Sequence, residues 1–186
     1  GVFRVTVDVR GRLQEITSES GTVFAGRLVR LRVDRVTLPG GGASTREIVE
    51  HPGAVAAVAL DGDYVLLVRQ WRHPAGEVLL EIPAGTLEPG EAPEETVCRE
   101  LAEEIGHRAG RIEHLIDFYV APGYSSELIR LYLATELVPA TGEADADENI
   151  EVVRMPLAEA LARCRTGELR DGKTITGLLL AAARLT

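Results

Sequence analysis

Residues 85–106 read GTLEPGEAPEETVCRELAEEIG, a glycine-containing loop followed by an acidic segment with helical periodicity. On a helix, Glu100, Glu103 and Glu104 lie along one side, with Glu100 and Glu104 a single turn apart. Like charges at this spacing weaken a helix by roughly 0.2–0.5 kcal/mol per pair. A divalent cation would offset the repulsion, and Mg²⁺ is usually bound by carboxylates together with the phosphates of a substrate. The segment therefore predicts metal-assisted chemistry on a phosphate compound.

The predicted helix has recognisable ends and a buried side. Pro93 fits the first helical position, and Gly106 suits a left-handed C-cap. The expected buried stripe consists of aliphatic residues four positions apart: Val97, Leu101 and Ile105. Glu100 and Glu104 lie beside this stripe and Glu103 lies farther round the helix. Two of the three glutamates are therefore expected to border the core.

This loop and helix resemble the Nudix box, G-x5-E-x7-R-E-U-x-E-E-x-G-U, in which U is a bulky aliphatic residue. The matching residues are Gly85, Glu91, Arg99, Glu100, Leu101, Glu103, Glu104 and Gly106. His107 stands where the last aliphatic residue is expected, a departure that concerns the packing of the helix end. A solvated acidic surface would account for RELAEEIG alone, but not for Gly85 and Glu91 in register with it.

The flanking segments are similar to those of the ADP-ribose pyrophosphatase branch of Nudix hydrolases. The similar segments are EIVEHPGAVAAVAL (47–60), VRQWRHPAG (68–76), LEIPAG (80–85) and APGYSSE (121–127). Pro122 lies about fifteen residues beyond the box, where that branch has a distinguishing proline. The resemblance covers roughly residues 44–160 and implies hydrolysis of ADP-ribose to AMP and ribose 5-phosphate.

The resemblance also implies a metal site. The implied ligands are the carbonyl of Ala84 and the side chains of Glu100, Glu103 and Glu104. The three glutamates are also the implied catalytic groups. Mg²⁺ is the expected ion, with Mn²⁺ or another divalent cation as a substitute. One to three such ions would screen the diphosphate and lower the pKa of a bound water. Arg99 is expected to fix the loop by pairing with Glu91 or with a backbone carbonyl.

The general base is expected in the acidic loop 141–148. By resemblance, Glu148 best matches the loop glutamate of this branch, because it precedes the strand-like segment IEVV. It would serve as the general base or as an additional metal ligand. The other carboxylates of this loop remain alternatives: Glu143, Asp145 and Asp147.

Further side chains match substrate-contacting positions of the branch: Arg46, Glu47, Arg72, Glu88 and Glu127. Arg72 would meet the diphosphate or the adenosine end through a bidentate fork, and Glu127 would meet hydroxyls of the terminal ribose. Arg46 and Glu47 occupy positions that relatives contribute from a dimer partner. For each, a plain surface salt bridge is the competing interpretation. Trp71 either stacks on adenine or, as is usual for an aromatic residue on a strand, belongs to the core.

Composition limits the remaining possibilities. The chain has 186 residues with 45% hydrophobic residues, which predicts one globular unit with a sizeable core. With 20 basic and 29 acidic residues, its net charge of −9 argues against a general nucleic-acid or membrane surface. Cys98 and Cys164 are expected to be isolated buried thiols, and the four histidines lack metal-ligand spacing. No signal peptide or membrane-spanning run is recognisable, so the cytoplasm is the expected location.

The rest of the chain predicts strands and two further helices. The predicted strands are 3–9, 23–29, 31–38, 46–51, 54–60, 64–71, 78–84, 111–120, 128–137 and 150–155, and the helices are 157–165 and 174–184. Turns are predicted at glycines 40–42 and at Asp61-Gly62-Asp63. These elements indicate an α+β fold, a Nudix-type αβα sandwich with a mixed sheet. Residues 1–43 are expected to form a small antiparallel sheet that mediates a homodimer, and residues 44–186 the hydrolase domain.

Three alternatives compete with ADP-ribose hydrolysis. The first is a Nudix pyrophosphatase for another nucleotide sugar, a dinucleoside polyphosphate or a damaged nucleoside triphosphate, and the segment PGYSSE favours diphosphate-linked sugars. The second is a non-catalytic sensor that binds ADP-ribose and regulates transcription, which would be expected to have lost box glutamates. The third is an interaction module whose acidic helix is only structural, which the register of Gly85 and Glu91 opposes.

Overall fold

The computed structural model describes residues 9–142 and 149–185. It contains two compact units, one comprising Gly1–His51 and Ala121–Ser126 and the other Pro52–Val120 and Glu127–Thr186. The predicted division of the chain into segments 1–43 and 44–186 stays a prediction.

The first unit is a three-stranded antiparallel sheet preceded by a short helix. Its elements are α1 (Val9–Leu13), β1 (Ile16–Ala25), β2 (Arg30–Thr37) and β3 (Ala43–Glu50), with the strand order β1-β2-β3. The segment 121–126 joins this unit through hydrogen bonds to β3, where the amide of Val49 donates to the carbonyl of Tyr124 at 2.7 Å. The small antiparallel sheet expected near the N-terminus is confirmed for the described residues.

One expectation for the first unit needs correction, and another falls almost entirely outside the described residues. The alternating run 23–29 is not one strand, because a turn closed by a 2.8 Å bond from the amide of Gly26 to the carbonyl of Val29 separates β1 from β2. The predicted strand 3–9 lies outside the described residues, except for Val9, which begins α1 instead. The glycine turn is confirmed, since Gly41 has a φ of 86°, a left-handed conformation that glycine adopts without a steric penalty.

The second unit is built on a mixed seven-stranded sheet. Its strands are β4 (Ala54–Asp61), β5 (Tyr64–Arg72), β6 (Glu77–Glu81), β7 (Ala84–Thr86), β8 (His107–Tyr119), β9 (Leu128–Pro139) and β10 (Ile150–Pro156). The main order is β10-β5-β4-β9-β8, with β6 paired to β5 and β7 to β4. The β4–β9 pair is parallel and the others are antiparallel, so the sheet is mixed as predicted.

Helices cover both faces of this sheet. They are α2 (Pro93–Ile105), α3 (Leu157–Thr166) and α4 (Gly172–Leu185). Alternate residues of β4 point to opposite faces, so Val55 and Ala57 pack with α2, whereas Ala56 and Val58 belong to the core that includes α3 and α4. This arrangement explains why β4 is apolar throughout, and it confirms the αβα sandwich.

Strands β4 and β5 separate beyond their first three paired residues, which leaves room for β6 and β7. The two strands pair only at Ala59–Asp61 with Tyr64–Leu66; beyond that point β6 pairs with β5 and β7 with β4. The single strand predicted over 78–84 is therefore divided at Ile82 and Pro83. Pro83 has no amide hydrogen, and the amide of Ile82 donates to the side chain of Thr174 at 2.8 Å instead of to a strand. The opening places residues 84–86 beside the N-terminal half of β4.

Candidate active site

Helix α2 presents its glutamates as the sequence predicts. Val97, Leu101 and Ile105 are buried, and Gly106 ends the helix with a φ of 64°. Glu104 is only 7% exposed, and one of its carboxylate oxygens accepts a hydrogen bond from the amide of Ala84 at 2.9 Å. This bond ties the C-terminal half of the helix to the first residue of β7.

Gly85 allows the loop to approach the helix. A Cβ atom at this position would overlap with the carboxylate of Glu100. The Glu100 carboxylate therefore lies directly against the backbone of the loop, a space that only a glycine leaves open. This contact gives a physical reason for the glycine that starts the box.

Arg99 connects the loop to the helix through the Arg99 cluster, which we define as Glu91, Arg99, Glu100 and Glu103. Its guanidinium donates to Glu91 at 3.1 and 3.2 Å, to Glu100 at 2.7 Å and to Glu103 at 2.9 Å. The hydrogen bonds from Arg99 lower the pKa of the Glu91 carboxyl, and those to Glu91 raise the pKa of Arg99. The expected pairing of Arg99 with Glu91 is confirmed.

The donor chemistry of this region fits a hard cation. Within residues 9–142 and 149–185, no group of three His, Cys, Asp or Glu side chains is arranged as a preformed metal site. Arg99 pairs with both Glu100 and Glu103, so these two carboxylates already contact a cationic side chain. Each ionised carboxylate can accept about four hydrogen bonds or ligand contacts, so one bond to Arg99 leaves capacity for a cation. The ligand set of Ala84, Glu100, Glu103 and Glu104 stays a prediction.

Arg72 lies in a second charged group, the Glu81 cluster, which we define as Arg72, Glu81, Asp171 and Lys173. The Arg72 guanidinium donates two parallel bonds to the carboxylate of Glu81, at 2.7 and 2.8 Å. Lys173 at the start of α4 donates to the same carboxylate and lies 3.1 Å from Asp171. Burial alone would raise the pKa of Glu81, but the bonds from Arg72 and the charge of Lys173 lower it below its usual range.

The hydrogen bonds to Glu81 raise the pKa of Arg72, and the charge of Glu104 adds to this effect. Arg72 is therefore within electrostatic range of the box helix. Sequence reasoning did not single out Glu81, Asp171 or Lys173. One signal was available, since Glu81 is the only charged residue of the apolar segment 78–84, and a buried acid is rarely left without a partner.

The other residues singled out from the sequence lie in different surroundings. Arg46 in β3 pairs with Glu15 in the first unit, and Glu47 beside it is exposed. Glu88 is exposed in the loop before α2, and Glu127 is half-buried. Glu148 and its alternatives in the acidic loop lie outside the described residues. The structure thus brings together the box residues, while the substrate-contact assignments stay predictions.

Two expectations about burial are wrong. Trp71 is 54% exposed, so it does not belong to the core; it lies next to the exposed Val78 on β6. Cys98 and Cys164 are half-buried instead of fully buried, although both are free thiols whose pKa is raised by burial. His107, the departure from the box, contacts the carbonyl of Ile105 through Nδ1 at 2.6 Å. It therefore engages the helix end by a polar contact and not by aliphatic packing.

In the described part of the chain, no helix combines the length and the apolar character needed to cross a bilayer.

The NUDIX domain family matches residues 50–176. An ADP-ribose pyrophosphatase of Bacillus subtilis (strain 168) is 42% identical over 165 residues, covering 87% of this chain and 89% of the relative. An ADP-ribose pyrophosphatase of Mycobacterium tuberculosis (strain ATCC 25618 / H37Rv) is 43% identical over 175 residues, covering 91% and 84%.

A methanol dehydrogenase activator of Bacillus methanolicus is 42% identical over 165 residues, covering 87% of this chain and 89% of the relative. Among solved structures, an ADP compounds hydrolase superposes with a TM-score of 0.83 at 26% identity. That superposition covers 93% of this chain and 95% of the other chain. The fold and the family match therefore extend over most of the molecule.

Proposed function

Because the chain belongs to the Nudix family, we propose that it hydrolyses the pyrophosphate bond of ADP-ribose, giving AMP and ribose 5-phosphate. It is a Nudix hydrolase, an enzyme that acts on phosphoanhydrides. The observation that carries the ADP-ribose proposal is the complete box, folded as a loop and helix, in a chain with relatives named ADP-ribose pyrophosphatase over most of its length.

The box residues would hold Mg²⁺ or another divalent cation. Glu100 and Glu104 would be the main ligands, with Glu103 and the carbonyl of Ala84 assisting. When bound, such ions screen the charge of the diphosphate and lower the pKa of a coordinated water. The support for this assignment is the burial of Glu104, the close approach of Glu100 to Gly85, and the preference of Mg²⁺ for oxygen ligands.

Other side chains of the protein would transfer the proton and bind the substrate. Glu148, or a neighbouring acid of the loop 141–148, would accept the proton of the attacking water. Arg72 would contact the diphosphate, a role supported by the bidentate geometry of arginine. Glu127 and Glu88 would contact the rest of the substrate.

A homodimer would complete this assignment, with Arg46 and Glu47 contributed by the partner subunit. Its support is the surface of β1, which exposes apolar side chains in the isolated chain, including Ile16, Val23 and Phe24. Exposed apolar surface of this kind commonly marks an interface. We place the enzyme in the cytoplasm, where reduced thiols such as Cys98 and Cys164 are usual.

The test is a substrate panel with ADP-ribose, ADP-glucose, GDP-mannose, diadenosine polyphosphates and 8-oxo-dGTP, assayed by chromatography across a Mg²⁺ titration. We expect Mg²⁺-dependent release of AMP chiefly from ADP-ribose. Glu104→Gln keeps an acceptor for the Ala84 amide but removes the charge, and should lower kcat/KM at least about 100-fold, the scale for losing one electrostatic group at a reacting centre.

Glu95→Gln is the matched control on the same helix. The Glu95 side chain accepts a bond from the Ala92 amide in the first turn, a contact that glutamine can also make, so activity should stay within about twofold of wild type. Preference for another nucleotide sugar would keep the reaction type and replace the substrate. Binding of ADP-ribose without turnover would point to the non-catalytic sensor instead.

A further inference from the structure

The Arg72 side chain is held from one edge only. Glu81, its partner, is 1% exposed, whereas the Arg72 side chain is 40% exposed. In the described part of the chain, the Arg72 guanidinium donates only to Glu81, through Nε and Nη2. A guanidinium carries five N–H donors in a rigid fork, so donors on its other edge remain available to a ligand.

The carboxylate that holds Arg72 is itself fixed by the start of α4. Lys173 donates to it from the first turn of α4, and the Lys173 side chain is 12% exposed. Asp171 caps this turn by accepting from the amide of Thr174 at 2.9 Å. The hydroxyl of Thr174 accepts from the amide of Ile82, next to Glu81. The start of α4 is therefore attached to two consecutive residues, Glu81 and Ile82, which lie shortly before Gly85, the first residue of the box.

The Glu81 cluster contains two cations and two acids and so has no net charge. What can meet an anion is the outer edge of the Arg72 guanidinium, because Glu81 holds only its Nε and Nη2 donors. Asp171, the other acid of the Glu81 cluster, is 3.1 Å from Lys173 and not bonded to Arg72. An arginine with a fixed fork also loses less side-chain freedom when it binds a phosphate than a freely rotating one does.

We propose that Glu81 and Lys173 are positioning residues of the hydrolase, which hold the Arg72 guanidinium with its outer edge toward the diphosphate of the substrate. Lys173 acts through Glu81, and Glu81 acts through Arg72. The inference rests on the proposed function, because it requires a substrate with a diphosphate. It extends the site to the first turn of α4, 92 residues along the chain from Glu81.

A double-mutant cycle on activity tests this chain of action. Lys173→Met, Arg72→Met and the double variant are assayed for kcat and KM with ADP-ribose, under conditions where circular dichroism shows all of them folded. Lys173→Met alone should raise KM about tenfold with kcat within about twofold, the pattern for lost binding of substrate and transition state alike. In the Arg72→Met background, Lys173→Met should change kcat/KM less than about twofold.

Two further variants separate positioning from general support of the fold. Lys173→Arg, which keeps a cation at Glu81, should restore KM to within about threefold of wild type. Arg163→Met on α3 removes exposed ion pairs with Glu159 and Glu168 and should leave KM unchanged. If Lys173→Met does not fold, Lys173→Gln takes its place in the cycle with the same criteria.

Equal losses from Lys173→Met in both backgrounds, or an unchanged KM, would overturn the inference while leaving ADP-ribose hydrolysis intact. If the wild type prefers another nucleoside diphosphate derivative, the proposed substrate fails and the cycle is run with that compound. A wild type that hydrolyses none of them removes both the proposed function and this inference.

Discussion

The Arg99 cluster and the Glu81 cluster lie on the same unit and have opposite charge patterns. In the first, one guanidinium contacts three carboxylates, all within the box segment. In the second, one buried carboxylate contacts two cations, and one of these comes from α4, 92 residues away. The first group has an excess of negative charge suited to metal ions, whereas the second has no net charge but leaves one edge of the Arg72 guanidinium available to a phosphate.

The difference shows how two kinds of order arise around one site. The contacts of Arg99 join residues that are close in sequence, so they require only that the loop and the helix of the box are formed. The contacts of Glu81 form only when β5, β6 and α4 are all in place. Changes in the Glu81 cluster should therefore affect the stability of the whole unit, whereas changes in the Arg99 cluster should act mainly on the loop and helix.

The largest effect on stability is expected from Glu81→Gln. Glu81 is almost fully buried, and loss of its charge leaves Arg72 without the carboxylate that it contacts and Lys173 with Asp171 alone. Removing one member of a buried pair typically costs about 3–5 kcal/mol of unfolding free energy. Urea unfolding at pH 7 measures this loss, and a change below about 1 kcal/mol would show that the two cations do not depend on Glu81.

The pH dependence of stability sharpens the same contrast. The pKa of Glu81 in the folded protein lies below its usual value of 4.5, so its stabilising contribution is present above that value. The contribution is lost as the pH falls from about 4.5 through the lowered pKa, because the unfolded chain then binds the proton more readily. Unfolding free energies measured from pH 7 to pH 3 should fall steeply in wild type and less steeply in Glu81→Gln.

Salt distinguishes the two clusters in this measurement. The pKa of Glu91 is also lowered, mainly by Arg99, but this carboxylate lies nearer to solvent than Glu81. Added salt screens exposed pairs more strongly than buried ones. The acid-induced loss attributable to Glu91, taken as wild type minus Glu91→Gln, should therefore shrink in 0.5 M NaCl more than the loss attributable to Glu81.

The sequence was sufficient for the local features of this molecule. Helix α2 and its ends follow from Pro93, the four-residue aliphatic period and Gly106, all of which act within a few residues. The β4–β5 hairpin follows from Asp61-Gly62-Asp63 for the same reason. The box motif also predicts the candidate metal ligands, because its residue spacing can be recognised in one sequence.

Features that depend on distant partners were missed. The break at Ile82 and Pro83 depends on the side chain of Thr174, and no local sequence pattern predicts that contact. Strand β1 begins with Ile16 followed by the polar residues 17–20, a run that lacks the alternation of a half-buried strand. The burial that is usual for an aromatic residue on a strand does not hold for Trp71, because β5 leaves it exposed near the strand's end.

The smallest effect is expected from Arg99→Lys. Lysine keeps the charge but has no planar fork, so it can satisfy fewer of the carboxylates that Arg99 now contacts. These groups are partly exposed and close in sequence, so the loss of unfolding free energy should be about 1 kcal/mol, the upper range for exposed pairs. Arg69→Lys, at an exposed pair with Glu151 between β5 and β10, is the matched control and should cost at most about 0.5 kcal/mol. Equal losses in the two variants, measured by urea unfolding, would mean that bridging three carboxylates adds nothing to a single exposed pair. A loss above about 3 kcal/mol would remove the contrast with Glu81, because the box would then depend on its arginine as strongly as the sheet depends on its buried acid.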